Sequence, residues 1–179
     1  MPGNLRIAVL YEPSDNTRAQ EVPSERVRHK ERRGPQRSRR PRGQKLDRDH
    51  VLEALRANGY DASLYELGDE AALLALAKTK ADLIFNIVEA YAGDDSREAH
   101  VAAFLDLLDL RYTGAGPQGL FLAQDKPLAK KVFEFHSIRT PRFASSYRGK
   151  VDHVDDLEFP LIVKPASEDG SIGIDAGAV

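Results

Sequence analysis

Apolar residues along this chain fall into short blocks of two kinds. Residues 5–11 (Leu-Arg-Ile-Ala-Val-Leu-Tyr) and 82–88 (Asp-Leu-Ile-Phe-Asn-Ile-Val) are nearly continuous apolar runs. Runs of this length suit strands of a parallel sheet covered on both faces. Val51, Leu52 and Leu55 recur at helical spacing, and Gly59 supplies a stop. Residues 62–67 alternate like a second strand, and Asp69 is placed to cap a helix running to about residue 80. Ser96 opens a further helix with Val101, Phe104, Leu105 and Leu108 on one face, and residues 110–114 form a short fourth strand. Strands alternating with helices predict an open α/β parallel sheet. Ligands of such sheets bind at the carboxyl ends of the strands, where Asn86, Glu89 and Tyr112 fall.

A second unit begins at about Gly116. Leu120, Ala123, Leu128, Val132 and Phe135 mark helical segments around Asp125-Lys126, and residues 141–147 and 157–164 read as strands. Residue 179 falls inside what reads as the next strand, so the expectation is of an incomplete machine.

Charge changes this picture in one place. Between Arg18 and Arg48 stand twelve basic residues against four acidic ones, a local charge of +8 that leaves −10 for the rest of a chain whose total is −2. Residues 17–44 hold only Val22 and Val27 as sizeable aliphatic side chains, so they bury too little to offset their ordering entropy. They read as a disordered basic insertion between the first strand and the first helix. Arg-rich tracts can bind nucleic acid, but the absence of interleaved aromatic residues and the acidic remainder disfavour that partner. With no cysteine, disulfides, thiol catalysis and cysteine-ligated metal are excluded. Residues 1–11 lack the long apolar region of a signal peptide, and no apolar run approaches the ~18 residues of a membrane span. The expectation is a cytoplasmic chain.

The candidate chemistry is cationic. Residues 159–164 (Phe-Pro-Leu-Ile-Val-Lys) read as a buried strand ending in Lys164. A loop containing Glu168, Gly170, Ser171 and Gly173 follows, whose backbone N–H groups could approach anionic oxygens. A strand-end lysine can meet a phosphate as a fixed charge, or a carboxylate of Glu168 or Asp169 in a structural pair. Lys126 follows Asp125 at a helix start, where a phosphate would gain from the dipole and the lysine charge. The alternative there is a solvated Asp-Lys pair in a capping turn. Asp94, Asp95, Arg97, Glu98 and His100 form a polar cluster that reads as a charged helix start rather than a metal site.

The order of these pieces carries a resemblance. Residues 5–11, the segment Val51-Leu52-Glu53-Ala54-Leu55, then Asp82-Leu83-Ile84-Phe85-Asn86, Arg111-Tyr112-Thr113-Gly114, Gln124-Asp125-Lys126, Arg139-Thr140-Pro141 and Phe159-Pro160-Leu161-Ile162-Val163-Lys164-Pro165 follow in sequence. The chain resembles the N-terminal portion of D-alanine–D-alanine ligase-like proteins of the ATP-grasp superfamily.

The resemblance implies a preATP-grasp domain over residues 1–116 and an incomplete ATP-grasp subdomain over 117–179. It implies ATP-dependent ligation of a carboxylate to an amine through an acyl phosphate. ATP and Mg²⁺ would be the cofactors and a small amino acid or peptide the substrate; the family is often a homodimer, and the sequence leaves the assembly of this chain open. By motif position Lys126 and Lys164 resemble the two lysines that hold ATP phosphates, and Glu168 to Gly173 the loop that covers them. Glu12 and Glu89 are the substrate-side candidates. The metal ligands are expected in the C-terminal half of the family and none within this chain, so the chain reads as a truncated, inactive part. The other reading is a non-catalytic α/β module, or a remnant acting by protein interaction. Glu89-Ala90 stands where the family has His-Gly, Gly170 occupies the catalytic-serine position, and the catalytic residues stay unassigned.

Overall fold

The computed structural model describes residues 5–13, 47–147, 149–152, 157–167 and 174. The basic insertion at 17–44 and the loop residues Glu168, Gly170, Ser171 and Gly173 lie outside the described residues. The chain divides into two units, Met1–Pro117 and Gln118–Val179.

The first unit is built on β1 (Arg6–Tyr11), flanked by β2 (Asp61–Glu66) and β3 (Leu83–Asn86) in the order β2-β1-β3. Both pairings are parallel, with Val9 opposite Leu64 on one side and Phe85 on the other. Parallel neighbours need crossovers, which α1 (Asp47–Ala57) and α2 (Glu70–Ala75) lie on. Ile7, Ala8, Val9 and Leu10 are all buried, so β1 is covered on both faces as its unbroken apolar run predicts. Ala8 and Leu10 join Leu67, Leu76, Ile84, Val88, Val101 and Leu105 in one core cluster. Ile7 and Val9 point to the opposite face, and α1 packs on β1 and β2.

Local signals set most of the boundaries. Gly59, at φ 84°, takes the left-handed conformation that ends α1. The Asp69 carboxylate accepts the Ala72 N–H at 2.9 Å and caps α2. That helix stops at Ala75 rather than near residue 80, tightening into a 3₁₀ turn over Leu76–Lys78 that buries Leu76. After β3, a 3₁₀ turn at Asp95–Arg97 leads into α3 (Glu98–Leu107), whose inner face buries Ala99, Val101, Ala102 and Leu105. The predicted fourth strand shrinks to a single parallel bridge between Ile84 and Tyr112. Ile84 N–H donates to Arg111 O at 2.8 Å and Thr113 N–H donates to Ile84 O at 3.0 Å. Gly114, at φ 102°, turns the chain away directly afterwards, so the pairing has no room to lengthen.

At the amino edge of the sheet, Arg6 and Asp82 tie β1 to β3. The guanidinium donates to both carboxylate oxygens at 2.8 and 3.0 Å, and Arg6 N–H adds a third bond at 2.9 Å. These bonds hold the Asp82 carboxyl down at about 2, from an ordinary 3.8. A depressed carboxyl stabilises the fold above its unfolded value and loses that contribution as pH falls through the folded value.

In the second unit, α4 (Pro117–Gln124) is followed by α5 (Lys126–Phe135) and by the antiparallel hairpin β4 (Ser145–Tyr147) and β5 (Lys150–Asp152). The helices fall where the apolar spacing puts them. The strands do not: residues 141–144 carry no ladder, and neither do residues 157–164. An apolar run only makes a strand when a neighbour accepts its hydrogen bonds, and Pro160 and Pro165 remove two donors. Lys164, predicted at the end of a buried strand, is exposed, beside Val163 at 73% and Ile162 at 52% exposure.

Two stability experiments check this account. Asp82→Asn is expected to lower the melting temperature at pH 7, and the gap to the parent chain to close between about pH 4 and pH 2, followed by circular dichroism. Leu105→Ala, at a fully buried position of α3, is expected to cost about 2–5 kcal/mol in urea unfolding.

Candidate functional site

In an open parallel sheet the crevice lies where neighbouring crossovers leave on opposite sides, here between β1 and β3. Glu12 follows β1, Asn86 ends β3, and Glu89 lies three residues on. The structure joins the two predicted residues through the backbone of one and the carboxylate of the other. Glu89 N–H donates to Glu12 Oε2 at 2.9 Å, while Ile87 N–H donates to Leu10 O at 3.0 Å. Asn86 is held in turn, its N–H donating to Thr113 Oγ1 at 3.1 Å, and its Oδ1 accepts Val88 N–H at 3.3 Å.

Burial pushes the Glu12 carboxyl above its ordinary range, and the nearby Glu89 charge adds to this. The backbone N–H groups of Glu89 and Ala90 pull the other way without cancelling it. Glu12 is therefore a half-buried acid that positions the β3 loop, and Glu89 is the exposed partner. Tyr112, also expected here, pairs beside the middle of β3, and its hydroxyl donates to Asp106 Oδ1 on α3 at 2.8 Å. Burial and that acceptor push its phenol up to about 12.

The loop after Glu89 explains the polar cluster. Tyr91 and Asp94 exchange two backbone bonds of 3.2 Å across Ala92 and Gly93, both at positive φ (54° and 75°). That is the geometry of a two-residue hairpin turn, in which a non-glycine residue is strained. Asp94 then accepts from Ser96 N–H at 3.0 Å and Ser96 Oγ at 2.6 Å, and pairs with Arg97 Nε at 3.1 Å. These contacts make a charged cap. Among the described residues no three His, Cys, Asp or Glu side chains gather as a metal site would require. A cavity of about 370 Å³ opens beside this turn, with Leu73, Val101 and Phe104 among its walls and Arg97 and His100 among its polar lining.

One group at the same edge escaped the sequence reading. Tyr11 Oη donates to Glu66 Oε2 at 3.0 Å, and the Arg48 guanidinium lies 4.2 Å from the Tyr11 ring centroid. Arg48 was counted with the basic insertion, and nothing in its neighbours signals an aromatic partner 37 positions earlier.

In the second unit, Lys126 opens α5 and Asp125 caps it, accepting Leu128 N–H at 3.0 Å. Lys126 N–H donates to Ala166 O at 3.2 Å, which carries the segment bearing Lys164 to the start of this helix. Ala129 N–H donates to Asp125 O, and Pro127 has no N–H. The first-turn donors are thus spent on the protein itself. The helix start offers an anion the lysine charge rather than backbone hydrogen bonds, and the Asp125 carboxylate opposes it. Lys130 is held elsewhere, its Nζ donating to Pro141 O at 2.9 Å and lying 5.0 Å from the Phe143 ring centroid.

The first unit is thus a parallel α/β sheet with Glu12 and Glu89 at its carboxyl edge, and Lys126 and Lys164 belong to the second. The uncharacterized protein y4sG of Sinorhizobium fredii is 34% identical over 134 residues, covering 70% of this chain and 39% of that protein. A D-alanine–D-alanine ligase of Syntrophotalea carbinolica is 36% identical over 124 residues, covering 69% and 39% respectively. A D-alanine–D-alanine ligase of Pseudomonas entomophila is 38% identical over 126 residues, covering 69% and 38%. No family model matches the chain. The chain spans about two fifths of the length of the curated relatives it matches. It is a homologue of D-alanine–D-alanine ligases, and the coverage agrees with an N-terminal portion, as the motif order implied. No helix among the described residues is long and apolar enough to cross a membrane.

The tie between the strand ends is open to direct test. Glu12→Ala removes the acceptor of Glu89 N–H, and amide exchange at Glu89 is expected to quicken by about tenfold, the equivalent of one ordinary hydrogen bond. Unchanged exchange there would show that the carboxylate does not position the loop.

Proposed function

We propose that this chain carries the preATP-grasp domain, residues 1–116, and part of the N-terminal ATP-grasp subdomain, residues 117–179, of a cytoplasmic ATP-dependent carboxylate–amine ligase. In this reading a small amino acid or peptide binds at the carboxyl edge of the β2-β1-β3 sheet. The paired acids Glu12 and Glu89 favour an ammonium group there over a carboxylate. The supporting observation in the second unit is the backbone bond from Lys126 N–H to Ala166 O, two residues after Lys164. Lys126 and Lys164 would hold ATP phosphates by charge, with Glu168, Gly170, Ser171 and Gly173 in the loop over them. ATP supplies the phosphoryl group that activates the carboxylate for attack by the amine. Positioning and charge neutralisation are what such transfer asks of the protein. The described residues do not fit Mg²⁺, since they hold no acidic cluster, and no step through the metal is assigned to this chain.

Calorimetric titration of magnesium-ATP into the 179-residue chain tests the lysine assignment. The parent is expected to show weak saturable binding, and Lys126→Ala and Lys164→Ala each to weaken it by about tenfold or more, as loss of one charge-assisted contact does. Identical isotherms for parent and both variants would remove these side chains from any nucleotide site.

A further inference from the structure

The charged cluster after β3 contains Asp94, Asp95, Arg97, Glu98 and His100, but the cavity beside it does not take them evenly. Among the described residues, only the two that can carry positive charge, Arg97 and His100, stand in its walls; the three acids do not. The rest of the lining is largely apolar, with Leu73 from α2, Tyr91 from the turn, and Val101 and Phe104 from α3. Val101 belongs to the core cluster, and Leu73, Tyr91 and Phe104 pack against it. The interior of the first unit therefore fixes these walls. The space of about 370 Å³ lies wholly within that unit. Its size and its few polar groups on an apolar wall are those of a small-molecule site.

Arg97 is held ready for an anion. Asp94 Oδ2 lies 3.1 Å from Arg97 Nε, while Asp94 Oδ1 accepts from Ser96 N–H and Ser96 Oγ at 3.0 and 2.6 Å. Both oxygens of Asp94 are thus engaged, and the guanidinium is fixed by its Nε edge. Its terminal N–H groups have no other side-chain partner among the described residues. We propose that this cavity binds a small monocarboxylate with an apolar body of the size of an aromatic ring. The carboxylate takes the terminal N–H groups of Arg97 beside His100, and the body lies on Leu73, Val101 and Phe104. Such a ligand needs neither an amine nor a nucleotide, so the inference does not rest on the ligase reading.

The test titrates the full 179-residue chain with hydrocinnamate, and with hydrocinnamyl alcohol as its uncharged counterpart, and follows backbone amide chemical shifts. Hydrocinnamate is expected to give saturable shifts at Tyr91, Arg97, Val101 and Phe104. It is expected to bind about tenfold more tightly than the alcohol, as one charge-assisted contact provides. Arg97→Gln, at a half-exposed position, is expected to keep the thermal transition and to bind acid and alcohol alike. Leu73→Trp fills the cavity from the α2 side and is expected to lose both ligands. Shifts that fail to saturate, or that spread evenly over the chain, overturn the proposal. So does equal binding of acid and alcohol by the parent chain, which makes the cavity a gap for any apolar body. Retention of the acid preference in Arg97→Gln, or of binding in Leu73→Trp, overturns it as well.

Discussion

Burial of β1 on both faces is the constraint from which the first unit follows. A strand with Ile7, Ala8, Val9 and Leu10 out of water must have neighbours on both edges and cover above and below. β2 and β3 supply the edges, and parallel pairing forces the crossovers that bring helices onto the faces. The Arg6–Asp82 pair and the Glu12–Glu89 contact lie at opposite ends of the same β1–β3 seam. The first holds the seam by charge in partly exposed surroundings, where ion pairs contribute modestly. The second spends a half-buried carboxylate on a loop that then carries a second acid to the crevice.

The two units differ in kind. In the first, apolar side chains converge from β1, β3, the turn at Leu76 and α3 on one core. In the second, helices form where the pattern puts them, yet among the described residues α4 and α5 hold no buried side chain. Helical hydrogen bonds are satisfied within the segment, so an amphipathic helix can be drawn before its partner exists. A sheet cannot, because every strand needs a neighbour for its backbone. That asymmetry explains why α4 and α5 are present while residues 157–164 carry no ladder.

Much of the first unit was legible in sequence because its signals are local. The apolar runs of β1 and β3, Gly59 after α1 and the Asp69 cap each act within a few residues. The lysine at 126 was readable as a helix start for the same reason. What was not legible depends on pairing across distance. The Arg48 guanidinium over Tyr11 and the Tyr112 hydroxyl on Asp106 involve ordinary residues whose neighbours carry no sign of their partners. The use of the Lys126 amide by Ala166 belongs with them, and it changes the chemistry, because it leaves only side-chain charge to offer an anion.

The amino-acid sequence by itself settled the α/β alternation, the helix starts and the kinship to D-alanine–D-alanine ligases, since periodicity, caps and motif order are written in near neighbours. Tertiary structure alone decided that Glu12 holds the β3 loop, that the fourth strand is a single bridge and that Lys164 stands in solvent. Each of those outcomes turns on which distant group satisfies a backbone donor or covers an apolar face, a choice made only when the chain is folded.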